Sequence, residues 1–270
     1  MIRTTDTYYP TSGLERCFLK SIWRLQAFYQ HHQMEVILPK GTVEVIFNLS
    51  DHITYTNPGA DVRMNLPCCF INGINFKPLQ LIKTGQQIFL GIQFNALGLK
   101  VVFDIPAREF NNTVVEGSLV CKALTDLYYQ LFSEKSFDRQ VEIIRKWLCQ
   151  KISTSKHLTE IQKLHDWFYC QNVNALTVKE FCNKACISDR QLRRISTDWI
   201  GMNTEKFLLY NKYLSALHLL HHTDLTLTQI GLEAGFYDQS HFIREFKFYT
   251  GLIPKEYQAS VTGLPGHIFH

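Results

Sequence analysis

The chain has 270 residues, 46% apolar and 19% charged, enough to fill one large or two ordinary cores and too apolar for a disordered polypeptide. Lys and Arg number 28 against 24 Asp and Glu, and this formal charge of +4 selects neither an enzyme nor a nucleic-acid binder. The first thirteen residues are polar and lack the apolar core of a signal peptide. The most apolar stretch, 88–103, is broken by Gln93, Asn95 and Lys100, so no membrane span is expected and a cytoplasmic location is. Eight cysteines form no C-x-x-C pair, and reduced thiols are the expectation for a chain of this size.

Residues 1 to about 110 read as short strands. Val43, Val45, Phe47 and Leu49 alternate with Glu44, Ile46 and Asn48; a second alternating run covers 88–94 and a third candidate covers 79–83. Turn signals stand between them at Pro39-Lys40-Gly41, Asn57-Pro58-Gly59, Asn72-Gly73 and Thr84-Gly85. Such punctuation predicts a sandwich or small barrel, with Asn95 capping a short helix to Phe103. Helical periodicity takes over in 119–132 and 137–152, and Ser153-Thr154-Ser155-Lys156 is the predicted linker. The apolar stripes Leu124, Leu127, Leu131 and Ile144, Trp147, Leu148 suit packing on the barrel or dimerisation.

The C-terminal hundred residues repeat a motif. Thr177 with Glu180, Ser188 with Gln191, and Thr226 with Gln229 are capping boxes, in which a hydroxyl accepts the N3 amide and the N3 side chain reaches back. The first two begin so close together that only a short helix and a tight turn fit between them, the spacing of a helix-turn-helix. An offset of fifty residues superposes Ser188 on Asp238, Leu192 on Phe242, Arg194 on Arg244, Gly201 on Gly251 and Phe207 on Tyr257. Gly235 suits the end of the helix opened by Thr226, and Asn203 caps a long helix joining the two units.

Residues 158–258 resemble the DNA-binding domain of the AraC/XylS family of bacterial transcription activators. Ile230, Gly235, Phe236, Ser240, Phe242, Phe246, Lys247, Gly251, Pro254 and Tyr257 stand where that family has them, and Leu176, Ser188, Leu192, Arg194 and Gly201 match in the first unit. Three positions depart: Ser196 replaces a core Phe, with Trp199 as compensation, Lys212 replaces Arg, and Gly231 replaces Ala. The last weakens its helix by roughly 0.5–1 kcal/mol.

A recognition helix lies in the major groove with its N-terminal residues at base edges. Helix 188–198 turns Leu192 and Ile195 to the core and Arg190, Arg193 and Arg194 outward, where guanidinium forks match guanine. Helix 238–249 buries Phe242 and Phe246 and exposes Gln239, Ser240, Ile243 and Arg244; Gln239 suits adenine and Arg244 guanine or a phosphate. Lys247 and Lys184 suit phosphates, and His241 suits the core edge or the groove equally. An ordinary solvated face is the alternative for the three arginines. Residues 166–258 hold equal numbers of bases and acids, so weak non-specific binding by this part is expected.

In AraC-like regulators the N-terminal domain is often a cupin-like barrel that senses a small molecule and dimerises, and 39–48 and 91–94 are similar to segments of such domains. No His-x-His occurs, so neither a metal site nor a cofactor is expected. With Val43, Val45 and Phe47 on the other face, Glu44 reads either as solvent-facing or as a polar ligand anchor. Pro67-Cys68-Cys69-Phe70 lacks a histidine base for a nucleophilic cysteine, and no hydrolase or nucleotide-binding motif is present.

The expectation is therefore an α+β, non-enzymatic transcription regulator. Residues 1–152 form a β-barrel or sandwich with flanking helices, and 153–270 an all-α domain of two helix-turn-helix units. Its implied partners are double-stranded DNA, RNA polymerase, a small-molecule effector and a second copy of the chain. The rival is a redox or enzymatic N-terminal domain tethered to DNA by the helical one.

Overall fold

The period-two alternation of the N-terminal half does produce strands, two of them, of 19 and 16 residues, far longer than the turn signals suggest. The computed structural model of the chain describes residues 2–50, 53–56, 63–169, 173–260 and 266–269. Its strands are β1 (Ile2–Tyr8), β2 (Leu19–Ile37), β3 (Val43–Asn48), β4 (Thr54–Thr56), β5 (Arg63–Asn65), β6 (Cys69–Asn72), β7 (Leu79–Phe94), β8 (Val114–Glu116) and β9 (His267–Phe269). All pair antiparallel in one sheet with the path β1-β2-β7-β3-β6-β8; β4 pairs with β5 and β7, and β9 pairs with β2.

The runs 79–83 and 88–94 are one strand, not two. Thr84-Gly85 is a kink within β7: Gly85, at φ +68°, lies opposite Tyr29, where the β2–β7 register shifts. An extra residue or a glycine in a strand bends the ladder without ending it. The turn expected at Asn57-Pro58-Gly59 lies outside the described residues.

Both faces of the sheet are covered. Ile22, Val45, Phe47, Leu90, Ile92 and Phe94 pack into a core that continues through the helices, whereas Leu25, Ile46, Phe70, Leu79, Leu81 and Phe89 form a second cluster on the opposite face. Every residue of β3 is buried in consequence, including Glu44 at 6% exposure. The solvent-facing alternative for Glu44 is thus corrected: alternation identifies two faces, but not which of them meets water.

Short helix α1 (Gly13–Arg16) precedes β2, and α2 (Leu97–Phe103) follows β7 with Leu97 N–H donating to Asn95 Oδ1 at 3.0 Å. The helix expected at 119–132 is two pieces, α3 (Gly117–Val120) and α4 (Ala123–Ser133); α5 (Phe137–Ser153) matches its expected span. The apolar stripes of α4 and α5 bury Leu124, Leu127, Leu131, Ile144, Trp147 and Leu148 in the main core. After the linker come α6 (Leu158–Phe168), α7 (Val178–Ala185), α8 (Asp189–Ile195), α9 (Thr204–His222), α10 (Leu227–Glu233), α11 (Gln239–Thr250) and α12 (Pro254–Ala259). The architecture is mixed α+β, with an N-terminal antiparallel sheet and a C-terminal part that is helical up to α12. The all-α expectation for 153–270 is corrected by β9, which returns to the sheet because its backbone pairs with the unpaired edge of β2 at Glu35–Ile37.

Candidate nucleic-acid interface and cavity

All three expected capping boxes form: the Thr177, Ser188 and Thr226 hydroxyls accept from the N3 amides while Glu180, Gln191 and Gln229 reach back to the cap amides. Asp238 caps α11 by accepting from His241 N–H at 2.7 Å, and Asn203 caps α9 by accepting from Lys206 N–H at 2.8 Å. α7 and α10 both end in a left-handed residue, Cys186 at φ +53° and Gly235 at φ +87°. Ile187 N–H returns to Cys182 O at 3.2 Å and Phe236 N–H to Gly231 O at 2.9 Å, the same helix-ending loop in both units. In both units the left-handed residue stands nine positions after the cap; in the first it is a cysteine, which glycine-based reading misses, and the loop that follows it is one residue shorter.

α8 buries Leu192 completely and half-buries Ile195. It then passes into a wider π turn over Ser196–Ile200, so the helix expected to run to 198 is shorter. Ser196 is fully buried, its hydroxyl donating to Met202 O at 2.8 Å, and Trp199 is buried beside it.

Arg190, Arg193 and Arg194 are all exposed on α8, but not equally free. Arg193 donates to both oxygens of Asp189 at 3.1 and 3.0 Å and to Glu205 at 2.6 Å, and these two carboxylates hold its guanidinium above the ordinary range. Arg190 and Arg194 carry no ion pair among the described residues. In the second unit Gln239 and Ser240 are exposed, with Gln239 accepting from Thr228 Oγ1 at 3.1 Å. Arg244 is 72% exposed beside Glu245, and Lys247 is exposed one turn further on. His241 is half-buried, edge-on to Phe236 at 5.4 Å and 3.9 Å from Glu245, on the core side of the helix. Tyr237, 89% exposed just before the cap, escaped the sequence reading because an aromatic beside a core Phe reads as core.

The connecting helix does more than separate the units. Tyr213 donates to Pro39 O at 2.9 Å; Tyr210 donates to Asn75 O at 3.0 Å and accepts Gly41 N–H at 3.0 Å. Lys100 pairs with Asp198, and Asn111 Nδ2 donates to Gly201 O at 2.6 Å. The connecting helix and the first helix-turn-helix unit are therefore bonded to the β-rich half.

The sheet encloses a cavity of about 220 Å³. Its walls are chiefly apolar (Trp23, Leu25, Ile46, Phe70, Leu81, Phe89), with Arg3, Thr5 and Asn72 among them and two bonded polar clusters. In one, Glu44 accepts from Trp23 Nε1 at 3.3 Å and Gln93 Nε2 at 3.0 Å. In the other, Lys83 pairs with Glu35, which accepts from His267 Nδ1 at 2.6 Å, and His267 Nε2 lies 3.0 Å from Lys40 Nζ. Burial would raise the Glu35 carboxyl, but His267 and Lys83 outweigh it and hold it well below the carboxylate range. Burial, with Lys40 nearby, lowers His267 to about 4 against the opposing pull of Glu35. The imidazole is neutral at pH 7, donating through Nδ1 and accepting through Nε2. Among the described residues no group of three or more His, Cys, Asp or Glu could hold a metal ion.

Two helix-turn-helix units presenting polar recognition-helix starts, joined by one long helix, define a bipartite DNA-binding domain. Residues 181–260 match the family model described as a helix-turn-helix domain, and residues 6–116 match a domain of unknown function, DUF6597. The transcriptional activator RhaR of Escherichia coli (strain K12) is 32% identical over 79 residues, which are 29% of this chain and 28% of RhaR. Among solved structures, ToxT from Vibrio cholerae is 12% identical, covering 97% of this chain and 99% of its own at a TM-score of 0.49. An AraC-type regulator from Chromobacterium violaceum is 26% identical, covering 38% of this chain and 94% of its own at a TM-score of 0.35. The C-terminal part of this chain is a helix-turn-helix domain of the AraC type.

Proposed function

We propose that this protein is a sequence-specific transcription regulator that reads two successive major-groove segments on one face of double-stranded DNA. The observation that carries the reading is the exposure of Arg190, Arg194, Gln239, Ser240 and Arg244 on two recognition helices whose starts are held by side-chain caps. Arg190 and Arg194 read bases in the first unit, with Arg193 joining them only after leaving two carboxylates; Gln239, Ser240 and Arg244 read the second. Lys247 contacts phosphate, and His241 orients the second helix from its core edge. The working units are a regulatory part, 1–152, and a DNA-binding part, 153–270.

The cavity receives a small, mainly apolar effector bearing a polar group that pairs with the charged cluster. Occupancy shifts the population between arrangements of the two parts. RNA polymerase and a second copy of the chain are the further partners of such a regulator, and the cytoplasm is where it meets its DNA. Against the redox or enzymatic alternative, burial pushes the Cys69 thiol up to about 12, far from a reactive thiolate.

Selection of duplexes from random DNA by the full chain tests the reading. Recovered sites should hold two half-elements about one helical turn apart; absence of enrichment would refute it.

A further inference from the structure

A strand from the far end of the chain completes the cavity. His267–Phe269 pair with Glu35–Ile37 of β2, continuing the lane that β1 occupies along residues 22–28. His267 stands in the cavity wall and Ile268 is buried beneath the strand. One residue earlier, Gly266 is bonded to both halves of the molecule: its carbonyl accepts Leu38 N–H at 2.8 Å, and its own N–H donates to the Tyr257 hydroxyl at 3.1 Å. Tyr257 is fully buried on α12, and its hydroxyl meets the His221 ring in the last turn of α9. A run of polar contacts, with one peptide link, therefore leads from Lys83 through Glu35, His267 and Gly266 to Tyr257 of α12 and His221 of α9; the Tyr257 ring packs 5.6 Å from Phe246 of α11, so the run reaches the second helix-turn-helix unit.

We propose that Gly266–Phe269 is a latch that couples the cavity to the second helix-turn-helix unit. A molecule touching His267 touches a wall that exists only while the strand is docked. It binds that state more strongly and holds the latch closed, and release of the latch weakens the molecule's binding by the same factor. The element is small enough to undock alone, because β2 keeps β1 and β7 as partners along the rest of its length. This coupling rests on the reading of the cavity as an effector site for its biological meaning, but not for its measurement.

The experiment is a double-mutant cycle on the full chain read by amide hydrogen exchange. Lys83→Met perturbs the cavity side, and deletion of residues 266–270 removes the latch. With the latch present, Lys83→Met should change exchange in 254–260 at least threefold; without it, Lys83→Met should leave that segment unchanged. Deletion alone should accelerate 35–38 and 254–260 at least tenfold while 19–25 stays protected. Should the deletion unfold the chain, as loss of protection in 19–25 would reveal, Ile268→Ala replaces it in the same cycle. An equal effect of Lys83→Met with and without the latch, or no effect on 254–260 in either, overturns the coupling. Binding of wild type to its selected duplex is scored separately, so failure of the latch leaves the DNA-binding reading standing.

Discussion

Replacing Glu35 by glutamine keeps the size of the side chain and an acceptor for His267 while removing the charge that faces Lys83. The Glu35 and Lys83 side chains are only 2% and 4% exposed, so water cannot take over the lost pairing. Lys83 must then keep an uncompensated ammonium in an apolar wall or give up its proton. For an ordinary lysine, with pKa about 10.4, deprotonation at pH 7 costs about 1.36 kcal/mol per unit, or about 4.6 kcal/mol in total. That route caps the penalty, and breaking a buried pair costs about 3–5 kcal/mol in general. Adding Lys83→Met removes the stranded ammonium and supplies apolar volume, so the double variant should return to within about 1 kcal/mol of wild type. Urea unfolding at pH 7 followed by tryptophan fluorescence measures both. A loss below about 1 kcal/mol in Glu35→Gln, or a double variant less stable than the single, would refute the picture of a desolvated pair.

Arg194→Ala should cost roughly 1–3 kcal/mol at one base position of a selected duplex. Arg193→Ala should cost less, because Asp189 and Glu205 already hold that guanidinium; equal losses in a binding titration would contradict the ranking. Gly231→Ala gains roughly 0.5–1 kcal/mol in helix preference, but its Cβ would meet Phe242 Cβ at 3.3 Å inside a packed ring cluster. The two effects should cancel to within about 0.5 kcal/mol in the unfolding free energy, and a gain above about 1 kcal/mol would show that Phe242 yields freely. Because His267 is lowered to about 4, the unfolded chain binds its proton first on acidification. Stability is intact above about pH 6.5 and falls toward pH 4, with Glu35, held low by His267 and Lys83, adding a further loss below its ordinary range. His165 and His221 are also lowered by burial and contribute in the same direction, so His267→Gln should reduce the slope between pH 6.5 and 4 without abolishing it.

The helix-turn-helix half was legible because its determinants are local. A capping box needs only two residues three apart, and Ser188 with Gln191 forms whatever else the chain does. The fifty-residue repeat then aligned Arg194 with Arg244, and the helical period that turns Leu192 and Ile195 inward placed Arg190 and Arg194 outward without any knowledge of the sheet. Charge pairing was not legible: Arg193 looked equivalent to its neighbours until the fold brought Glu205 from the next helix against it.

In the N-terminal half, period-two alternation by itself determined that residues 43–49 and 88–94 are extended, because successive side chains in a strand must point to opposite faces. Only the tertiary structure decided that both faces are covered, since that depends on the bent sheet closing over a cavity; Glu44 is buried for this reason. Glu35, Lys83 and His267 read in sequence as three scattered polar residues, and three terminal residues carry no pattern long enough to signal a strand. Contact across 232 positions is what joins His267 to Glu35. Long-range pairing depends on how the whole chain closes on itself, which no local window of residues contains.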